Sequence, residues 1–335
     1  MARAAVTPRL PEAARTGGPA ASAFLLTAGL LTVVQLVVER PLLLAERFLP
    51  GGGWGEIAVL AGYAAWLAAR LQHPGQWARL RPRIWFLFSV VFFGQLTLGL
   101  LGVERCLMTG TLHLPVPALV VAGPLYRGEG LFMPILLVST LVLVGPAWCS
   151  WLCYIGAWDN LLARRVELQK PPSPRRREWI RGGLLAAAVG AALLLRTLGV
   201  DGVTAAWLAG GFGLAGVGVM AWVSRRRGWM AHCTAYCPLG WLVVRLGRVS
   251  PFRLRIRSSC VGCAACRPTC RYGALDPDAW RRQRVQTSCT LCGDCLQTCG
   301  ALELRWLGLS DRVSRRLLGV LVVSLHAVFL GVARI

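Results

Sequence analysis

The chain has 335 residues, 55% of them hydrophobic, with a mean hydropathy of +0.54 and a formal charge of +22. That hydropathy excludes a pair of ordinary soluble domains and points to a chain built largely of membrane helices. The charge invites a nucleic-acid partner, but such a surface gathers its basic residues on one face, and here they fall in alternate loops.

Residues 1–20 are polar, with Arg3, Arg9 and Arg15, and are expected to be a disordered cytoplasmic N-terminus. Residues 21–38 form an apolar run of near-spanning length. Glu39, Arg40 and Pro41 follow where a signal-peptide cleavage site would need small residues, so the run reads as a first membrane helix. Residues 54–69, 84–101, 131–148, 182–195 and 203–223 give five more, and 317–332 a seventh. A span needs about 20 apolar residues, which makes the second, fifth and seventh the weakest. Trp54, Trp85, Trp148, Trp222 and Trp229 lie near the ends of these runs, where indoles favour the membrane interface.

The connections test this count. Arg70, Arg79, Arg81 and Arg83 follow the second run. Arg164, Arg165, Lys170, Arg175, Arg176, Arg177 and Arg181 follow the fourth, and Arg225, Arg226 and Arg227 the sixth. The intervening loops are poor in basic residues or pair them with glutamate or aspartate. Basic loops mark the cytoplasmic side, so the N-terminus and the cysteine-rich segment after the sixth helix are expected inside, with the C-terminal helix running outward. Glu56, near one end of the second run, is a default functional candidate as an intramembrane carboxylate, although a snorkelling side chain explains it as well. His73, His113, His232 and His326 suggest no haem-ligating pair.

Two short cysteine motifs sit at helix ends on the expected cytoplasmic side: Cys149-Ser-Trp-Leu-Cys153 and Cys233-Thr-Ala-Tyr-Cys237, the second followed by Pro238. Residues four apart share a helix face, so each pair can point both sulfurs one way. Together they form a candidate third thiolate metal site, or a copper(I) site, since thiolates favour that ion. Buried packing is the plain alternative for free cysteine. Cys106 stands alone and reads as packing.

The strongest motif follows. Cys260, Cys263, Cys266 and Cys270 repeat as Cys289, Cys292, Cys295 and Cys299, each run spaced C-x2-C-x2-C-x3-C. This is the spacing of bacterial ferredoxins, in which the fourth cysteine of each run ligates the other cluster. Cluster one is therefore assigned to Cys260, Cys263, Cys266 and Cys299, and cluster two to Cys289, Cys292, Cys295 and Cys270. Structural zinc would use four thiolates per site, usually as two separated pairs. Metal-ligand spacing needs reduced thiols, in keeping with a cytoplasmic setting. The segment is itself basic, with only Asp276, Asp278, Asp294 and Glu303 opposing its arginines. An acidic partner, anionic lipid or a continued positive-inside bias would each account for that. Arg267 and Arg271 are placed to raise cluster potentials.

Membrane helices, two C-x3-C motifs and a two-cluster run form an order that resembles the NapH/NosR-type membrane-bound polyferredoxins, over roughly residues 84–304. The family motif is C-x3-C-P twice; Cys233–Pro238 matches it, while Tyr154 replaces the first proline. The resemblance implies a 4Fe-4S electron-transport protein that passes electrons between the quinone pool, or a membrane partner, and another redox protein, either alone or as part of a quinol dehydrogenase. The CcoG/FixG branch, linked to copper reduction and metalloenzyme assembly, is the competing resemblance.

The expected fold is a multi-pass α-helical membrane protein of about six or seven spans with a small α+β bacterial-type 2[4Fe-4S] ferredoxin domain. Its expected divisions are 1–20, a transmembrane domain 21–248, the two-cluster domain 249–308 and a C-terminal span 309–335. The expected location is the bacterial inner membrane with the clusters cytoplasmic. The expected partners are quinone or quinol, other redox proteins and lipid, with no nucleic acid.

Overall fold

The computed structural model describes residues 12–73, 75–107 and 114–332. Its main elements are α1 (Glu12–Val37), α2 (Gly52–Leu71), α3 (Gln76–Leu100), α4 (Leu119–Arg127), α5 (Phe132–Val144), α6 (Tyr154–Ala163), α7 (Pro174–Thr197), α8 (Gly202–Val219), α9 (Pro238–Leu246) and α10 (Asp311–Val332), with strands β1 (Phe252–Ile256) and β2 (Leu302–Trp306). Six helices among the described residues are long and apolar enough to cross a membrane: Gly17–Val37, Gln76–Leu100, Phe132–Trp151, Pro174–Thr197, Gly202–Arg227 and Asp311–Val332. Helix α1 begins at Glu12, inside the stretch 1–20 expected to be disordered; residues 1–11 and His113 lie outside the described residues.

The second expected span is a helix of 20 residues, α2, but Glu56 and Arg70 leave it less apolar than the six. It packs against α1 and α10, where Ala23, Ala61, Ala64 and Ala68 are fully buried and small side chains let helix backbones approach. Glu46 caps its start, accepting from the amides of Gly51 and Gly53 at 2.9 Å each, in keeping with the pull of a helix N-terminus on a carboxylate. Glu56 accepts from Ala45 N at 2.7 Å, so its carboxylate ties the preceding turn to the helix.

Helix α7 runs further back than its apolar core. Ser173 caps it, accepting from Arg176 N at 3.3 Å, and Pro174 occupies the first turn, a favoured place for proline. Arginines expected in a loop therefore lie on a helix, and Arg177 and Arg181 turn inward, 2% and 3% exposed. Ser173→Ala is expected to lower stability by about 1 kcal/mol, the usual worth of an N-cap side chain, read as a lower midpoint in thermal unfolding.

Between α9 and α10, β1 and β2 pair antiparallel with Leu254 opposite Leu304. Phe252, Leu254 and Ile256 face inward while Arg253 and Arg255 face out, the period-two alternation of a half-buried strand. The pair joins the two ends of the cysteine-rich segment and packs it on α10, the most buried of the six long helices.

Candidate iron–sulfur centres

The two cysteine runs fold alike. Gly262 and Ala264 have φ of 70° and 61°, and their equivalents Leu291 and Gly293 have 53° and 81°. Two left-handed residues at the same places in each C-x2-C-x2-C stretch turn the chain tightly enough to bring successive sulfurs round one centre. Ala264 and Leu291 hold this conformation against its usual cost of about 1–2 kcal/mol per residue. A short 3-10 turn follows in each run, Arg267–Thr269 and Asp294–Gln297.

The fourth cysteines cross over. Cys270 lies in electrostatic range of Cys289, Cys292 and Cys295, and Cys299 lies in range of Cys266, as does Cys260. Cys270, Cys289, Cys292 and Cys295 line one small cavity, walled by apolar side chains including Leu254, Leu275 and Leu304. Burial pushes the Cys289 thiol up to about 12, and Cys295 is raised for the same reason, with like-charged neighbours adding to it. Four thiolates there need a cationic core to offset desolvation.

The donor set and its apolar wall suit a cubane. Among the described residues no three His, Cys, Asp or Glu side chains converge on the position of a single metal ion. A zinc–sulfur bond of about 2.3 Å would hold tetrahedral thiolates about 3.8 Å apart, whereas a cubane binds each thiolate at a different corner. All thirteen cysteines carry free thiols.

The second-run group is bound to the helices. Trp77 donates its indole N–H to Cys292 O at 2.7 Å. Arg81, 1% exposed, grips Asp294 with two hydrogen bonds of 2.8 and 2.6 Å and donates a third to Ser150 O at 3.1 Å. Arg164 also pairs with Asp294. Ser150 Oγ donates to Thr290 O at 2.9 Å, and the Tyr272 hydroxyl donates to Cys149 O at 3.4 Å. Arg271 donates through one nitrogen to the carbonyls of Ala163, Val166 and Gly228; it acts as a strut between segments. The first-run group is open by contrast. Cys263 is exposed, and Cys260 and Cys299 are half-buried.

The C-x3-C cysteines share one corner of the fold. Cys233 lies in electrostatic range of Cys149, Cys153 and Cys237. Cys153 and Cys237 occupy matching positions, each the residue that opens a helix, α6 or α9, in extended conformation. Each sulfur faces backbone amides of its helix, those of Ile155 and Gly156 or of Leu239 and Gly240, a setting that favours thiolate. Burial outweighs it and lifts both thiols above their ordinary value. The Arg181 guanidinium lies beside Cys149, Cys233 and Cys237. Asp159, wholly buried, accepts from Cys233 N at 2.9 Å. Short π-helical turns, Met220–Ser224 and His232–Tyr236, flank this corner, a device frequent at functional sites.

The repeat extends further than the cysteines. Gly156 and Gly240 each stand three residues after the second cysteine. A Cβ at Gly156 would lie 2.5 Å from the Trp85 ring and 3.0 Å from Cys149 O, and one at Gly240 would lie 2.9 Å from Cys233 O. Both glycines let the two cysteines of a motif close together, and the C-x3-C-x2-G spacing was readable in the sequence. Cys106 is buried away from both groups, in the turn Glu104–Cys106. His326 is buried against Tyr63, with its Nε2 3.3 Å from the hydroxyl.

A family described as a 4Fe-4S binding domain matches residues 126–177, a stretch that holds Cys149 and Cys153. The match supports an iron–sulfur protein of ferredoxin type. No curated protein and no solved structure matches the chain.

Proposed function

We propose that this chain is a membrane-bound iron–sulfur electron-transfer protein that passes electrons between quinol in the bilayer and another redox protein. One [4Fe–4S] cluster is assigned to Cys260, Cys263, Cys266 and Cys299, and a second to Cys270, Cys289, Cys292 and Cys295. The carrying observation is the apolar cavity that the latter four cysteines line, tied to the membrane helices through Trp77 and Arg81. Cys149, Cys153, Cys233 and Cys237 are assigned to a third thiolate-held centre, a reading supported by their mutual approach and by the 4Fe-4S family match across the first pair. When bound, such clusters accept and release single electrons; the chain sets their potentials by charge, hydrogen bonding and exposure. Buried Arg181 is placed to offset the added negative charge when the third centre is reduced. The alternating basic loops support an inner-membrane protein with its clusters on the cytoplasmic side.

A second small cavity supports the quinol end by its lining. It borders the C-x3-C group at Cys237, is walled by Pro117, Phe212, Val217 and Met220, and includes His232. His232 Nδ1 faces Gly216 O at 3.3 Å, so in the neutral ring Nδ1 carries the proton. Buried Nε2, which has no partner, is then an acceptor. It suits a hydroxyl, which quinol has and quinone lacks.

The test is anaerobic addition of a quinol to the protein in liposomes while iron–sulfur absorbance is followed. Bleaching is expected, and His232→Leu is expected to raise the half-saturating quinol concentration about tenfold, the worth of one buried hydrogen bond. Absence of bleaching with any quinol removes the quinone end of the reading. Copper delivery is the second reading, resting on the chemistry of the same four thiols. Stoichiometric copper(I) binding that disappears when Cys149, Cys153, Cys233 and Cys237 are all changed to serine would favour it.

A further inference from the structure

The two cysteine groups of the cytoplasmic segment differ in what surrounds them. Residues 270–273 and 290–296 hydrogen-bond to helices and helix-end loops at several points. Among the described residues, the hydrogen bonds of 258–269 stay within the segment. Cys263 is exposed, and Val261 beside it is 87% exposed, an apolar tip next to the sulfurs.

Arginines follow in the chain and the sheet next to this opening. Trp280 lies beside Cys266, and Arg281 and Arg282 follow it directly, both exposed. Arg284 pairs through its backbone with Arg255, which projects from the outer face of β1. Among the described residues none of Arg255, Arg281, Arg282 and Arg284 forms a salt bridge. Glu303, across the sheet from Arg255, is already held by Arg257 and Arg305. Asp276 caps the helix Pro277–Arg281, which leaves Asp278 as the exposed carboxylate nearest this edge. The result is a cationic edge of the segment that also carries the apolar tip and the more accessible of the two groups, a layout that steers an oppositely charged protein and fixes its register.

We infer that the edge formed by Val261, Cys263, Arg255, Arg281, Arg282 and Arg284 is the docking surface for a small acidic redox protein, which exchanges one electron with the centre held by Cys260, Cys263, Cys266 and Cys299. This rests on the iron–sulfur reading above. The rim belongs to a protein partner rather than to lipid because its arginines share a segment with the thiol group that, among the described residues, makes no hydrogen bond to the membrane helices. Arg312, Arg315 and Arg316, in the first turns of α10, are the basic residues that stand where that helix begins.

The probe is an acidic flavodoxin, with the protein in zwitterionic nanodiscs. Its anionic flavin hydroquinone goes to the neutral semiquinone, losing one electron and no proton, while the cluster is reduced by one electron. The second-order rate is expected to fall about tenfold between ~0.02 M and ~0.3 M salt, as steered association does. A triple Arg281→Glu, Arg282→Glu, Arg284→Glu variant should be slower by a similar factor at low salt and lose its salt dependence. These side chains are exposed, so iron and sulfide content should match wild type. Binding of oxidised flavodoxin, which needs no cluster, should weaken in parallel. Equal binding and equal rates in wild type and variant would overturn the proposal. So would loss of binding to anionic vesicles in the variant with flavodoxin binding unchanged, which would assign the rim to lipid. A cluster-free protein that still binds flavodoxin through these arginines would sink the iron–sulfur reading and leave the surface standing.

Discussion

Asp294→Asn is expected to loosen the cysteine-rich segment from the membrane helices and to lower stability by about 3–5 kcal/mol, the cost of leaving a buried ion-pair partner uncompensated. Asp294 is 6% exposed and receives two hydrogen bonds from Arg81, itself 1% exposed. An amide keeps the shape but supplies one oxygen for the two that the guanidinium grips, and no charge. Arg164, 37% exposed, can turn toward solvent, whereas Arg81 cannot. The loss should appear as a lower temperature for disappearance of iron–sulfur absorbance. Asp278→Asn, at an exposed site, should stay within about 0.5 kcal/mol of wild type. Equal thermal loss in the two variants would show that the Arg81–Asp294 contact does not hold the segment.

Gly293→Ala and Ala264→Gly occupy equivalent places in the two runs, yet they are expected to act in opposite directions. At Gly293 the backbone has φ of 81°, and an added Cβ would lie 2.2 Å from Trp77 Nε1. Trp77 is buried and its indole N–H is bonded to Cys292 O, so yielding would break that bond and open the wall of the cysteine-lined cavity. Overpacking together with left-handed strain should cost about 2–4 kcal/mol. Ala264 already carries the strain, at φ of 61°, and glycine there should be neutral or stabilise by up to about 1 kcal/mol. Chemical denaturation followed by cluster absorbance separates the two. A destabilised Ala264→Gly beside an unaffected Gly293→Ala would refute this account of the turns.

Much of this is legible in the sequence. The eight cysteines announce themselves because ligand spacing is local, and so does the 29-residue offset between Cys260 and Cys289, which fixes matching turns. The apolar runs behind the six long helices were equally plain. What the sequence hides depends on direction. Arg81, Arg177 and Arg181 sit in basic stretches that look like solvated, membrane-flanking charge; only folding turns their guanidiniums inward, toward Asp294, the Tyr272 carbonyl and the C-x3-C sulfurs. Asp294 likewise counts in the sequence as one more surface carboxylate. Helix α2 was legible as a helix, but its place between α1 and α10 is a matter of long-range packing that period and composition do not encode.

The most direct test of the central claim is iron and acid-labile sulfide analysis of anaerobically purified protein, with EPR of the reduced sample. The wild-type chain should hold about twelve of each, four per cubane. About four of each should be lost when Cys149, Cys153, Cys233 and Cys237 are replaced together by serine, with the remaining clusters still giving an EPR signal. Zinc in stoichiometric amount without sulfide would contradict the account, because thiolates closed on zinc leave no centre to carry an electron.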